Sequence, residues 1–186
     1  MKTEEIILAG FGGQGVLSMG MALSYSAIIE NKETTWMPSY GPEMRGGTAN
    51  CIVIISDTSI SSPILTKFDS GIILNQPSLE KFESAIKPGG YLFYEESTII
   101  TPPVREDIIV VKIPALAEAE KLKKKQVANM IMLGAFLEAR QIVKFESVSE
   151  ALKKVLPERH HHLIPLNEQA ILLGRELAAK QLSIKV

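Results

Sequence analysis

The sequence predicts an α/β protein, specifically a three-layer α/β/α sandwich whose sheet is mostly parallel or mixed and has about five to seven strands. Two patterns support this fold class. Short apolar runs rich in β-branched and aromatic residues are separated by turn formers over residues 1–113, the strand-rich part. Over residues 114–186 the apolar residues take the period of a helix. We expect a single domain over residues 1–186.

The composition is ordinary for a globular protein. The 186 residues carry a formal net charge of −1, with 46% hydrophobic and 22% charged residues. The sequence has no basic arm of the kind that binds nucleic acid. The N-terminal residues lack the pattern of a signal peptide, and no apolar run approaches the roughly 20 residues that span a bilayer. We expect a soluble, cytoplasmic protein without nucleic-acid or membrane partners.

The most informative stretch is a Rossmann-like glycine loop at residues 10–15, between a predicted strand at 5–9 and a predicted helix at 16–30. It matches the pattern G-x-G-x-x-G. Its glycines permit a tight turn and close approach to a phosphate, and the helix N-terminus offers unpaired N–H groups. We predict a phosphate-bearing ligand; the alternative is a tight corner without one. The candidate binding residues are Gly10, Gly12, Gly13, Gln14 and Gly15.

The second predicted strand, at residues 34–38, argues against a classical dinucleotide site. Such a site usually places a carboxylate for the ribose about 20 residues beyond the glycines, at the end of the second strand. Here Glu33 precedes the strand, and residues 36–39 include no carboxylate. A classical NAD site is therefore disfavoured.

A second candidate binding region is the polar, glycine-containing stretch at residues 39–49, between two predicted strands. The guanidinium of Arg45 can fork onto a phosphate or a carboxylate. The alternative is a local ion pair between Glu43 and Arg45. The candidate binding residues in this stretch are Tyr40, Arg45, Gly46 and Gly47.

Polar residues also follow two later strands. Asn75 comes after a predicted strand at residues 70–74, where it either contacts a ligand or caps the next helix. Glu95 and Glu96 follow a predicted strand at residues 91–94, and we expect both carboxylates to be solvated.

The remaining elements follow from the same patterns. Two more strands are predicted at residues 51–56 and 108–113, with a turn at 87–90 and a loop at 97–107. Helices are predicted at residues 78–86, 116–125, 127–140, 148–155 and 167–182. The helix at 127–140 is apolar on most sides, so we expect it to lie between the sheet and another chain.

Two residue types bear on metals and redox chemistry. Cys51, the single cysteine, is expected to be a small core residue, and one thiolate cannot hold a four-cysteine iron–sulfur cluster. The three histidines at 160–162 are adjacent and point in different directions, which disfavours a metal site. We assign no catalytic residue and no metal ligand.

Five motifs occur in order, and together they resemble the gamma subunit of 2-oxoacid:ferredoxin oxidoreductases, which is also domain III of single-chain pyruvate:ferredoxin oxidoreductases. The resemblance covers nearly the whole chain and looks closest to the separate subunit of 2-oxoglutarate enzymes. Pyruvate, branched-chain and indolepyruvate enzymes use similar domains. The motifs are the glycine loop, the stretch at 39–49, NQP at 75–77, NMIMLG at 129–134 and IPLNEQA at 164–170.

The resemblance implies a reaction in which a 2-oxoacid, coenzyme A and oxidised ferredoxin give an acyl-CoA, carbon dioxide and reduced ferredoxin, or the reverse. It implies alpha, beta and ferredoxin-like delta subunits as partners. Thiamine diphosphate, Mg and iron–sulfur clusters are then held by those partners. This chain alone is expected to be inactive and to hold no cofactor by itself, with coenzyme A as a candidate shared ligand.

Two other interpretations remain open at this point. One is a free-standing NAD- or FAD-binding protein, for which the ribose carboxylate is missing. The other is a pure assembly module whose glycines only turn corners.

Overall fold

The computed structural model describes residues 2–39 and 48–184. Candidate residues Tyr40, Arg45, Gly46 and Gly47 therefore lie outside the described residues. The strands are β1 (Thr3–Phe11), β2 (Glu33–Ser39), β3 (Thr48–Ser56), β4 (Phe68–Ile73), β5 (Ile86–Glu95) and β6 (Ile109–Ile113). The helices are α1 (Val16–Ile29), α2 (Gln76–Phe82), α3 (Ala115–Lys121), α4 (Ala128–Arg140), α5 (Phe145–Val155) and α6 (Ile164–Ile184).

Within the described residues, six strands form one sheet in the order β2-β3-β1-β4-β5-β6. The pairs β1–β4, β4–β5 and β5–β6 are parallel, while β3 runs antiparallel to both β1 and β2. The prediction of a mixed sheet is confirmed. The neighbour of β1 on the side away from β4 is β3, which runs antiparallel to β1. In a classical dinucleotide-binding fold both neighbours of the first strand are parallel to it.

Helices lie on both faces of the sheet, and β1 shows the two faces directly. Ile6 and Leu8 belong to the larger core cluster, which also contains residues of α1, α3, α4, α5 and α6. Ile7 and Ala9 point into a smaller cluster covered by α2 and by loop residues such as Ile99. Because both faces of β1 are buried, its sequence is an almost continuous apolar run. The predicted three-layer α/β/α sandwich is confirmed; its extent as one domain over 1–186 stays a prediction.

The predicted turn at residues 87–90 is wrong. These residues lie inside β5, where the pairing shifts: Phe68 pairs with Ile86, but Ser70 pairs with Tyr91. Gly89 has φ of 75°, and its N–H donates to the carbonyl of Asp107 at 2.7 Å. The turn-forming residues 87–90 therefore form a bulge within β5 and do not form a turn that precedes the strand.

Cys51 is a core residue, as predicted. Its side chain is fully buried in β3, and burial raises the pKa of its thiol to about 12. The thiol is therefore protonated at neutral pH and poorly nucleophilic.

Among the helices of the described residues, none combines the length and the apolar character needed to cross a membrane.

The expectation that α4 lies between the sheet and another chain is wrong. Its buried residues pack on the sheet and on α6 of the same chain. The two helices approach so closely that a Cβ atom at Gly134 would lie 2.0 Å from the carbonyl oxygen of Ile171. A Cβ atom at Gly174 would lie 1.9 Å from the carbonyl oxygen of Ile131. Only glycine at both positions permits this crossing.

We expect Gly134→Ala to destabilise the chain by about 1–3 kcal/mol, because the helices must separate to make room for the methyl group. The gain in helix propensity from Gly to Ala, at most about 1 kcal/mol, does not offset this. Urea denaturation of the purified chain gives the free energy of unfolding. Glu176→Ala, at an exposed position of α6, is the control and should change stability by less than about 0.5 kcal/mol. Equal stability of Gly134→Ala and the unmodified chain would contradict the close crossing.

Candidate functional site

The candidate site lies where the chain leaves β1 and β4 at their carboxyl ends. From β1 the chain enters α1, on the face of the larger core cluster; from β4 it enters α2, on the opposite face. Neighbouring parallel strands whose connections leave to opposite faces open a crevice at the edge of the sheet, where α/β proteins bind ligands. The glycine loop lies at this crevice.

The glycine loop presents backbone N–H groups to the solvent at the start of α1. Gly13 and Gly15 have φ of 92° and 77°, so the chain reverses sharply before the helix. Gly15 is the N-cap and has no side chain to cap the helix, and no acidic residue lies in the first turn. Among the described residues, the N–H groups of exposed Gly12 and Gly13 have no hydrogen-bond partner. These groups and the helix dipole favour an anion.

Glycine is favoured at different positions of the loop for different structural reasons. A Cβ atom at Gly10 would lie 2.7 Å from Oε1 of Gln14, and one at Gly15 would lie 2.3 Å from Nδ2 of Asn129. A side chain at either position would therefore displace a neighbouring side chain of the same chain. A Cβ atom at Gly13 would meet no atom of the described residues within 4 Å, so among them only the positive φ favours glycine.

The side chain of Gln14 is used inside the loop. Its Oε1 accepts from the N–H of Phe11 at 2.6 Å, and its Nε2 donates to the carbonyl of Leu74 at 3.2 Å. The loop is closed further by a bond of 3.2 Å from the N–H of Gln14 to the carbonyl of Phe11. Both ends of the amide thus have partners within the protein.

A cavity of about 210 Å³ adjoins the glycine loop. Small-molecule sites usually measure roughly 300–1,000 Å³, so this chain encloses only part of a ligand of ordinary size. Its lining combines apolar groups with one carboxylate, one ammonium and three side-chain amides. The lining residues are Gly13, Gln14, Leu74, Glu95, Leu116, Lys125, Gln126, Ala128 and Asn129.

Glu95 is buried in the wall of this cavity, so the expectation that it is solvated is wrong. It is 2% exposed, and Oε2 accepts from the N–H groups of Ser97 and Thr98 and from the hydroxyl of Ser97 at 2.8–2.9 Å. Oε1 accepts from the N–H of Leu116, in the first turn of α3, at 3.1 Å. These four donors compensate the buried charge. Glu96 is exposed as expected and pairs with Lys112 at 2.7 Å.

Asn75 caps α2. Its Oδ1 accepts from the N–H of Ser78 at 2.9 Å, and its side chain is almost completely buried. This capping bond explains why α2 begins at Gln76, two residues earlier than predicted. Asn75 is not among the residues that line the cavity. A ligand contact by Asn75 stays a prediction.

Sequence reasoning missed the contributions from the start of α4. Asn129, 7% exposed, donates from Nδ2 to the carbonyl of Gly15 at 3.3 Å and accepts from the N–H of Met130 at 2.9 Å. Lys125 extends from the preceding turn and pairs with Glu120 at 2.7 Å, with most of its side chain exposed. The available signal was a polar amide at the start of an otherwise apolar helix.

The histidines at 160–162 lie in a 3₁₀ turn, Glu158–Leu163, before α6. Nε2 of His161 lies 2.9 Å from the carbonyl of Leu156. In the described part of the chain, no three or more His, Cys, Asp or Glu residues are grouped so as to hold a metal ion.

We expect Gly15→Ala to destabilise the chain more than Gly13→Ala. Both substitutions place an alanine in the left-handed region, at a cost of about 1–2 kcal/mol. Only the methyl group at position 15 would also displace Asn129. Urea denaturation measures both differences. Equal losses at the two positions would contradict the contact between Asn129 and Gly15.

The fold and the crevice define an α/β protein with a glycine loop at the carboxyl ends of its parallel strands. Residues 5–177 match the family described as pyruvate ferredoxin/flavodoxin oxidoreductase. The chain belongs to this family, and the resemblance found in the sequence is confirmed.

Curated relatives fall into two lengths. The chain is 36% identical over 179 residues to the ketoisovalerate oxidoreductase subunit VorA of Methanothermobacter thermautotrophicus, covering 96% of this chain and 37% of VorA. It therefore spans little more than a third of that relative. It is 39% identical over 158 residues to the 2-oxoglutarate synthase subunit KorC of Methanocaldococcus jannaschii, covering 83% of this chain and 84% of KorC.

Solved structures show the same fold. The gamma subunit of the keto/oxoacid ferredoxin oxidoreductase from Geobacter sulfurreducens is 28% identical with a TM-score of 0.80, covering 95% of this chain and 99% of that one. The 2-oxoglutarate:ferredoxin oxidoreductase from Magnetococcus marinus, solved with 2-oxoglutarate, coenzyme A and succinyl-CoA bound, is 25% identical with a TM-score of 0.87. There the match covers 97% of this chain and 32% of the other chain.

Proposed function

We propose that this chain is the gamma subunit of a multi-subunit, thiamine-dependent 2-oxoacid:ferredoxin oxidoreductase. The enzyme converts a 2-oxoacid, coenzyme A and oxidised ferredoxin to an acyl-CoA, carbon dioxide and reduced ferredoxin. The observation that carries the proposal is the family match over residues 5–177. Relatives that occur as separate subunits of similar length support a separate subunit here.

The chain depends on partners for the chemistry. Its sequence contains one cysteine, whereas a four-cysteine iron–sulfur cluster needs four thiolates. That thiol is buried in the core with a pKa of about 12, so it is unavailable as a nucleophile. Alpha, beta and ferredoxin-like delta subunits then carry thiamine diphosphate, Mg and the clusters, and ferredoxin accepts the electrons. The gamma subunit completes the complex and is inactive alone.

The preferred 2-oxoacid is 2-oxoglutarate. Three relatives named 2-oxoglutarate synthase subunit KorC match most of this chain and most of their own length. The one from Methanothermobacter marburgensis is 33% identical, with 94% of this chain and 96% of that relative covered. Ketoisovalerate is the second candidate, because VorA of Methanothermobacter thermautotrophicus is 36% identical.

Coenzyme A is the ligand that best fits the crevice. It carries a diphosphate and a 3′-phosphate. The N–H groups of Gly12 and Gly13 at the start of α1, which have no partner in the described part of the chain, suit a phosphate. Lys125 adds a cation at the same cavity. A cavity of about 210 Å³ is too small to enclose coenzyme A, which is consistent with a site shared with a partner subunit. Tyr40, Arg45, Gly46 and Gly47 stay predicted contacts.

Isolation of the chain with its native partners tests the subunit assignment. We expect the tagged chain to recover thiamine- and cluster-containing subunits, and the eluate to reduce a viologen dye only when a 2-oxoacid and coenzyme A are both present. A panel of 2-oxoglutarate, pyruvate, ketoisovalerate and indolepyruvate identifies the substrate. Recovery of the chain alone, with a bound dinucleotide and no such activity, would instead support a free-standing NAD or FAD protein.

Substitution of Gly13 tests the coenzyme A site. In the intact complex we expect Gly13→Ala to raise the KM for coenzyme A about tenfold, equivalent to about 1.4 kcal/mol, by obstructing the phosphate. The kcat and the KM for the 2-oxoacid should not change. Gly89→Ala is a matched control, since Gly89 also has a positive φ and no atom within 4 Å of a Cβ, but lies in the β5 bulge. If the KM for coenzyme A is the same in both variants and in the unmodified complex, the glycine loop does not bind coenzyme A and only turns the chain between β1 and α1.

A further inference from the structure

We propose that Gln14, Thr98 and Glu95 are positioning residues, which hold the glycine loop in its ligand-accepting shape. Gln14 and Thr98 share one acceptor, the backbone carbonyl of Leu74, and Glu95 holds Thr98. The kinetic part of this inference rests on the proposed coenzyme A site. The structural part stands on hydrogen bonds between the described residues alone.

The carbonyl of Leu74 receives two side-chain donors. Nε2 of Gln14 lies 3.2 Å away and Oγ1 of Thr98 lies 2.8 Å away. A carbonyl oxygen has two lone pairs, so the two donors use its full capacity. Leu74 is itself fixed to the sheet, because its N–H donates to the carbonyl of Ala9 in β1 at 2.8 Å. The acceptor is therefore a rigid point at the end of β4.

The side chain of Gln14 connects the carbonyl of Leu74 to the glycine loop. Its amide nitrogen contacts Leu74, and its amide oxygen accepts from the N–H of Phe11 at 2.6 Å. A glutamine can donate and accept at the same time, whereas a glutamate is an acceptor only. The side chain thus bridges the ends of β1 and β4 across the crevice, and its role is to hold the loop.

Thr98 is held in turn by Glu95. The N–H of Thr98 donates to Oε2 of Glu95 at 2.9 Å, and Oε1 accepts from the N–H of Leu116 in α3 at 3.1 Å. The hydrogen bonds therefore continue from the glycine loop to α3 around one side of the cavity. Thr98 does not line the cavity, whereas Gln14, Leu74, Glu95 and Leu116 all do.

This frame pre-organises the loop. Gly12 and Gly13 are exposed and have no side chains to fix them, so an unrestrained loop would lose entropy when it binds a ligand. Weakening the frame should therefore reduce affinity for coenzyme A. It should leave kcat unchanged, because the proposed chemistry takes place on partner subunits.

A comparison of Thr98→Val with Thr98→Ser in the intact complex separates the effect of the Thr98 hydroxyl from the effect of the side-chain shape. We expect Thr98→Val, which lacks the hydroxyl, to raise the KM for coenzyme A about five- to tenfold with unchanged kcat and unchanged KM for the 2-oxoacid. Thr98→Ser keeps the hydroxyl and should restore the KM to within about twofold. Thr101→Val, at an exposed position of the same connection, is the control and should have no effect.

Hydrogen exchange of the full chain tests the frame independently of coenzyme A. The N–H of Phe11 should exchange about five- to tenfold faster in Thr98→Val than in Thr98→Ser, while the N–H groups in the centre of β1 stay protected. Gln14→Met removes both bonds of Gln14 and serves as the second variant, with the same expected direction. Unchanged exchange of Phe11 in both Thr98→Val and Gln14→Met would overturn the inference. Faster exchange with an unchanged KM for coenzyme A would instead count against the proposed coenzyme A site.

Discussion

The close crossing of α4 and α6 fixes much of the rest of the structure. Glycines at 134 and 174 let the two backbones touch, and α4 also packs on β4 and β5 of the sheet. One end of α4 then places Asn129 against Gly15 at the glycine loop. At the other end, Arg140 makes two bonds of 2.6–2.8 Å to the fully buried carboxylate of Glu4 at the start of β1. Removing one partner of such a pair typically costs about 3–5 kcal/mol. The helix α4 therefore contacts the chain at the start of β1 and again just after its end.

The site combines an open loop with a rigid surround. The N–H groups of Gly12 and Gly13 have no partner among the described residues, whereas Gln14 and Glu95 beside them have their hydrogen bonds made within the protein. The buried carboxylate of Glu95 is satisfied by four donors, so it organises the wall without an uncompensated charge. A rigid surround of this kind lowers the entropy cost of binding. At about 210 Å³ the cavity is smaller than a typical complete small-molecule site.

Several roles in the site could not be predicted from the sequence, because they depend on contacts between distant positions. Glu95 was expected to be solvated, since adjacent carboxylates after a strand give no sign that Leu116 will lie above them. Asn129 meets Gly15 across 114 positions, and Thr98 meets Leu74 across 24. The apolar pattern of α4 shows that the helix is covered on most sides, but it does not show that the covering element is α6 of the same chain.

The sequence by itself determined the order of helices and strands, the glycine turn between β1 and α1, the buried position of Cys51 and the family. These depend on side-chain periodicity, on the backbone freedom of glycine and on motifs, all of which are read locally. Only the tertiary structure decided that β3 lies antiparallel between β1 and β2, that residues 87–90 form a bulge, and that Glu95 is buried. The physical reason is that strand pairing and buried hydrogen bonds join segments far apart in the chain, so their partners are chosen by packing of the whole molecule.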